Sequence, residues 1–203
     1  MPTKTDDLAS IKRDLRWYFT IIGGIIASFW VVAALNIAFF SGSLLQFGVV
    51  PRTPRGLIGI PLHPFLHLGV THLFVNSVGF LLLGGLVITR DVRDFWIATA
   101  LGTLVGGLGI WLMGRNMTHI GASGVIFAYL GYLLATGWYD RRFGAIVLSV
   151  VIFLVWGSML IGMLPAQVAV SWEAHLFGFV GGVMTAWLRG RRLRAKVSNR
   201  ADG

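Results

Sequence analysis

The sequence predicts an all-α polytopic membrane helix bundle, and three observations carry that class. Of 203 residues, 56% are hydrophobic and 12% charged, about half the charged share of a soluble domain. Apolar runs of about 20 residues, the length of one helix across a bilayer, recur along the chain. Segments of about 10 residues alternating apolar and polar, the mark of a membrane barrel, do not occur. The mean hydropathy of +0.77 agrees. The 27 glycines suit helices packed in lipid, where small residues let backbones approach. With no cysteine, disulfides, thiolate metal sites and a cysteine nucleophile are excluded.

Taken in order, residues 1–16 form a polar N-terminal segment and 17–40 the first apolar run. That run exceeds the h-region of a cleaved signal peptide, and no small-x-small site follows, so it reads as the first of six spans. Residues 41–70 are too apolar for a solvated loop and too broken by Pro51, Pro54, Pro61 and Pro64 for a span. An irregular segment lying in the interface is expected there. Spans follow at 71–89, 95–113, 120–138, 143–164 and 171–188, joined by short connections, so 17–188 is one membrane domain. A basic tail, 189–203, contains RGRRLRAK. Fourteen of the 17 basic residues fall before span 1, between spans 2 and 3, between spans 4 and 5, or after span 6; only Arg52, Arg55 and Arg115 lie on the other side. The positive-inside rule places both termini in the cytoplasm. The tail then acts as a topology anchor touching anionic lipid, and the net charge of +9 does not indicate nucleic-acid binding.

All five histidines, His63, His67, His72, His119 and His175, fall toward the outer side. Three outer sites carry polar groups costly enough in a membrane to ask for a reason. In HLFVN, His72 and Asn76 are four apart and share a helical face, as a polar bridge between helices or as paired donors. In Gly121-Ala122-Ser123-Gly124, a serine enters the first turn of span 4 beside unpaired N–H groups and the positive end of the helix dipole. A packing serine and a nucleophile both fit that cluster. In EAHLFGFVGG, His175 begins span 6 on the face of Gly178 and Gly182, and Ala174, Gly178 and Gly182 make a small-xxx-small ridge suited to span 4. Together the three sites favour chemistry. Ser123 would be the nucleophile, His175 its base, and His72, Asn76 and the Ser123 N–H the donors to an oxyanion, all at one depth.

At these residues the chain resembles the rhomboid intramembrane serine proteases. HPFLHLGVTHLFVN, GASGVIFAYLGY and AHLFGFVGG stand in the family's order, and the resemblance covers about residues 17–188. It implies a rhomboid-like fold of the bacterial six-span form and a Ser123–His175 dyad without a third carboxylate. It also implies an oxyanion hole of His72, Asn76 and the Ser123 N–H, and room at Gly121 for the substrate backbone. The expected activity is serine endopeptidase cleavage of transmembrane protein substrates, with no cofactor and no metal, in a bacterial inner membrane with the site open to the outer face. Glu173 is not expected to orient His175, since side chains two apart on a helix diverge. Two positions depart from the family pattern. LIGIP stands where many members carry a Trp-Arg pair, and Phe127 stands where many carry a tyrosine that stacks on the histidine. Span 5, or the loop PAQVAV after it, is expected to move for the substrate. The other readings are an inactive rhomboid-like client binder, a histidine-ligated metal or haem protein, and a small transporter. No H-E-x-x-H, midplane charge or inverted repeat supports the last two.

Overall fold

The computed structural model describes the backbone of residues 4–165 and 170–201, with side chains over 14–165 and 170–198. The cap expected from PAQVAV falls largely on 166–169, outside the described residues, as do the side chains of Lys4, Lys12, Arg13 and Arg200. The described residues form helices and no strand; one isolated bridge pairs Val49 with His119.

Helix α1 runs Lys4–Phe40. Segment 41–68 is more ordered than its prolines suggest. It holds a 3₁₀ turn at Ser43–Phe47, helix α2 at Pro54–Leu62 and a second 3₁₀ turn at His63–Phe65. Pro54 sits at the start of α2, where a missing N–H costs nothing, and the Thr53 hydroxyl accepts from Gly56 N at 3.1 Å. LIGIP is therefore helical. Helix α3 (Gly69–Gly79) passes through one wide π-turn at Phe80–Gly84 into α4 (Gly85–Arg90). Asp91 caps α5 (Val92–Met113), accepting from Arg93 N at 2.9 Å and Asp94 N at 3.3 Å. Helix α6 is Ser123–Asp140, and α7 (Phe143–Trp156) tightens into a 3₁₀ helix over Gly157–Met163. Helix α8, Trp172–Ala201, carries the predicted basic tail as helix, since no glycine pair or proline stops it.

Among the described residues, four helical stretches are long and apolar enough to cross a membrane: Asp14–Phe40, Gly69–Arg90, Val92–Met113 and Phe143–Met163. Their outward side chains stay apolar, as with Ile37, Phe39 and Leu154, each more than 70% exposed. Such a surface suits lipid. Helices α6 and α8 differ because they face protein. Twelve of the 18 residues of α6 are buried, Tyr129 and Tyr132 completely. The small-residue ridge of α8 lies on α6. A Cβ on Gly178 would collide with the Gly124 carbonyl, and one on Gly182 with the Ala128 carbonyl. Backbones this close need glycine, and the contact sets the start of α8 beside the start of α6.

At the far end of the bundle α8 is tied by charge. Buried Asp94 accepts from Tyr132 Oη at 2.8 Å and Arg189 Nη1 at 2.6 Å, and also pairs with Arg192. Arg189 reaches Asp91 at 3.1 Å and Asp140 at 2.9 Å, and Arg90 reaches Asp140 at 3.2 Å.

Candidate active site

Ser123 is the first residue of α6, and the turn before it depends on Gly121. Gly121 has φ +112°, and its absent Cβ would stand 2.8 Å from two atoms of the His72 ring. Any side chain would be strained there and would push His72 away. This break starts α6 three residues later than the apolar run suggests. Gly121 thus makes room for His72.

The turn is held from outside by the proline-rich segment. Gly121 N donates to the His63 carbonyl at 2.8 Å, and Ala122 N donates to His67 Nε2 at 3.4 Å. His63 Nδ1 donates to the Ile60 carbonyl at 2.7 Å, while His67 lies between the rings of Phe29 and His72, 5.2 Å from each. Burial holds both imidazoles neutral, pushing His63 down to about 4 and His67 down to about 4. HPFLH therefore braces the approach to α6 and, through the His67 ring against His72, also meets the outer end of α3. His119 pairs with Val49 through two backbone bonds of 2.9 Å, and its ring joins the Arg115 carbonyl at 3.0 Å to Ser171 Oγ at 2.7 Å. Ser171 caps α8, accepting from Ala174 N at 3.3 Å.

His72, Asn76, Ser123, Phe127 and His175 line one cavity of about 670 Å³, with α3 and the end of α7 on its sides. At the start of α6 the Ser123 N–H has no acceptor within the helix and lies at the positive end of its dipole. His72 Nδ1 accepts from Leu68 N at 3.4 Å, so Nε2 carries the ring proton. Asn76 Nδ2 donates to the His72 carbonyl at 2.8 Å, which keeps one amide hydrogen in reserve. The Asn76 Oδ1 atom is buried without a partner among the described residues.

His175 is fixed on two sides. Its ring stacks on Phe127 with centroids 4.0 Å apart and planes 8° from parallel. Its Nδ1 lies 2.9 Å from the Gly162 carbonyl. A carbonyl only accepts, so Nδ1 is the protonated nitrogen and Nε2 keeps its lone pair. Nothing in the sequence marks Gly162 for this contact. It arises because the 3₁₀ end of α7 folds over α8, where a Cβ on Gly162 would stand 3.2 Å from His175 Nδ1 and 3.3 Å from Phe127. Ser123 is half-buried, and no hydrogen bond to a described residue, His175 included, ties its hydroxyl. Glu173 turns away, as the helix geometry requires, and binds Arg115 Nε at 2.8 Å and Arg115 N at 3.1 Å. Among the described residues no cluster of three His, Cys, Asp or Glu is placed to hold a metal. A hydroxyl, an imidazole with a free acceptor nitrogen, and N–H donors around one cavity are the groups that serine acyl transfer requires.

Residues 54–192 match the Rhomboid domain. An uncharacterized protein of Mycobacterium tuberculosis is 37% identical over 200 residues, covering 91% of this chain and 81% of that one. An uncharacterized protein of Mycobacterium leprae is 37% identical over 191 residues, 87% of this chain and 74% of the relative. The inactive RHOMBOID-like protein 8 of Arabidopsis thaliana is 32% identical over 109 residues, 50% of this chain and 30% of its own length. With the family domain matched over most of its length, this helical membrane protein belongs to the rhomboid family.

Proposed function

We propose that the chain is an intramembrane serine endopeptidase that cuts transmembrane protein substrates through a Ser123–His175 dyad. The observation that carries this reading is the two-sided hold on His175. Phe127 fixes the plane of the ring and the Gly162 carbonyl fixes its tautomer, so Nε2 is ready to accept the Ser123 proton. Gly162 then does for orientation what the carboxylate does in a triad. Ser123 and His175 line the same cavity, and the untied Ser123 hydroxyl is free to turn toward Nε2. Attack by Ser123 Oγ on a peptide carbonyl forms a tetrahedral intermediate. Its oxyanion meets the Ser123 N–H, His72 Nε2–H and the spare Asn76 N–H. His175 then passes the proton to the leaving amine, and water, activated by the same base, hydrolyses the acyl-enzyme. The substrate helix must unwind to expose its peptide bond, which favours helix-weak residues near the cut.

The same reading takes all six long helices as spans, with both termini in the cytoplasm of a bacterial cell and the cavity open to the outer face. The charge distribution supports it, and α6 and α8 cross inside a shell of more apolar helices. The inactive Arabidopsis relative keeps a second reading open, a client binder that does not cut.

Cleavage of a model substrate with a Gly/Ala-containing transmembrane helix, in proteoliposomes, decides between them. Wild type is expected to cut, with Ser123→Ala and His175→Ala each lowering the rate by roughly 10³-fold or more. Equal cleavage by all three proteins refutes the dyad. Binding without cleavage by wild type establishes the second reading.

A further inference from the structure

Remote from Ser123, the bundle carries a second concavity of about 550 Å³ where the α6–α7 turn meets the far half of α8. Arg141, Arg142 and Arg194 line it, with Trp138, Trp187 and Asp140. Arginine outnumbers carboxylate at this end. Asp91, Asp94 and Asp140 pair with Arg90, Arg189 and Arg192; Asp140 Oδ2 receives Arg90 at 3.2 Å and Arg189 at 2.9 Å, while its Oδ1 is buried without a partner among the described residues. Among the described residues no carboxylate pairs with Arg141, Arg142 or Arg194. Three guanidiniums against the single Asp140 carboxylate leave the concavity an excess of positive charge that a further anion would offset.

The backbone is shaped to gather them. Arg141 has φ +54°, which reverses the chain sharply at the end of α6 and places two consecutive arginines on the turn. Gly190 lets α8 approach. A Cβ there would stand 3.0 Å from Tyr139 and 3.4 Å from Arg194 Nη1. On the lipid side Trp138 is 75% exposed and Trp187 41% exposed, and Arg191 lies 5.0 Å over the Trp187 ring. Exposed indoles of this kind sit at the headgroup level of a bilayer.

We infer that this concavity seats the phosphate of an anionic phospholipid headgroup, with the acyl chains passing over Trp138 and Trp187. Guanidinium forks match phosphate oxygens with paired hydrogen bonds, and the indoles offer apolar faces beside them. Diffuse attraction of a basic tail to an anionic surface requires neither a concavity nor arginines kept out of the aspartate network.

The full chain in neutral detergent is titrated with dioleoylphosphatidylglycerol or dioleoylphosphatidylcholine. Native mass spectrometry counts bound lipid, and melting is followed in parallel. One phosphatidylglycerol is expected to be retained and to raise the melting temperature by mass action. Arg141→Asn/Arg142→Gln/Arg194→Gln should weaken it on the order of 100-fold; asparagine is chosen because it accepts a left-handed backbone. Arg16→Gln/Arg93→Gln/Lys196→Gln removes the same charge from exposed positions outside the concavity and should change affinity by less than about threefold. Equal weakening in both triple variants overturns the site in favour of diffuse attraction. Displacement of the lipid by millimolar inorganic phosphate identifies a free-anion site and overturns the lipid assignment. Should the first triple variant fail to fold, brominated lipids test the wild type. Stronger tryptophan quenching by brominated phosphatidylglycerol than by brominated phosphatidylcholine, lost in Trp138→Phe/Trp187→Phe, supports the seat. Equal quenching by the two lipids overturns it.

Discussion

The two ends of the bundle solve the burial of polar groups in opposite ways. At the Arg189 end, Asp91, Asp94 and Asp140 meet Arg90, Arg189 and Arg192 in a network that locks α8 to α5 and α6. Around Ser123 the buried groups are mostly neutral and bonded to backbone, and several keep an unused atom: His63 Nε2, His67 Nδ1 and Asn76 Oδ1. The ionic end also keeps unused buried atoms, Arg90 Nε, Asp140 Oδ1 and Arg192 Nε, but its opposite charges attract one another and hold the helices in place. Neutral groups with spare valence cost stability and keep donors and acceptors free for a bound molecule. One end therefore serves the fold, and the other is suited to chemistry.

The largest expected effect breaks the first end. Asp94→Ala removes the acceptor of Tyr132, Arg189 and Arg192 and leaves buried cations, which costs about 3–5 kcal/mol. Melting in detergent should fall by roughly 10 °C, while the folded fraction keeps its cleavage rate. If the rate falls and melting does not, the division between the ends is wrong.

Next come the donors of the cavity. Under the proposed mechanism His72→Ala or Asn76→Ala should lower kcat by roughly 10²- to 10³-fold, each oxyanion donor being worth about 3–4 kcal/mol. Melting should barely move. Loss of stability with unchanged kcat would make these residues packing groups.

A smaller effect follows from acid. His63 is held neutral in the docked loop, with its pKa pushed down by burial from 6.5 to about 4. The undocked loop takes up a proton below pH 6.5, and the docked loop does not until near pH 4. Stability of docking is thus complete above 6.5 and is lost as pH falls through this window, whose full width is worth about 3 kcal/mol. His67 in the same loop is shifted alike, so protection of the Gly121 amide, bonded to the His63 carbonyl, should drop by roughly 50-fold or more between pH 7.5 and 4.5 after correction for intrinsic exchange. The Arg189 end should keep its protection over the same range. Uniform loss at both ends would refute local undocking.

The smallest effect concerns the stacked ring. Phe127→Leu keeps bulk and loses the aromatic face against His175, worth about 1 kcal/mol and hence roughly fivefold in kcat/KM. Phe127→Tyr should stay within about twofold of wild type. A tenfold gain in Phe127→Tyr would show that the hydroxyl matters and that stacking alone is insufficient.

The residues differ in how legible they are. Ser123, His175, His72 and Asn76 stand out because a polar group in an apolar run is costly and asks for a reason. The α6–α8 contact is readable from the spacing of Ala174, Gly178 and Gly182, because a helix repeats its face every three to four residues. Prolines conceal helix α2 in the sequence, since Pro61 lies inside it, although Pro54 sits at the first turn, where proline suits a helix. The π-turn at Phe80–Gly84 leaves no mark in an apolar run.

By itself, the sequence determined the helical membrane class, the helix order and the polar groups that need company, because hydropathy and helical period act locally along the chain. Only the tertiary structure decided which groups provide that company. It set the Gly162 carbonyl on His175, the His63 carbonyl on Gly121 and Arg115 on Glu173. Two of these contacts run through backbone atoms that every residue type possesses, so no side chain announces them. All three join segments whose meeting depends on how the helices pack.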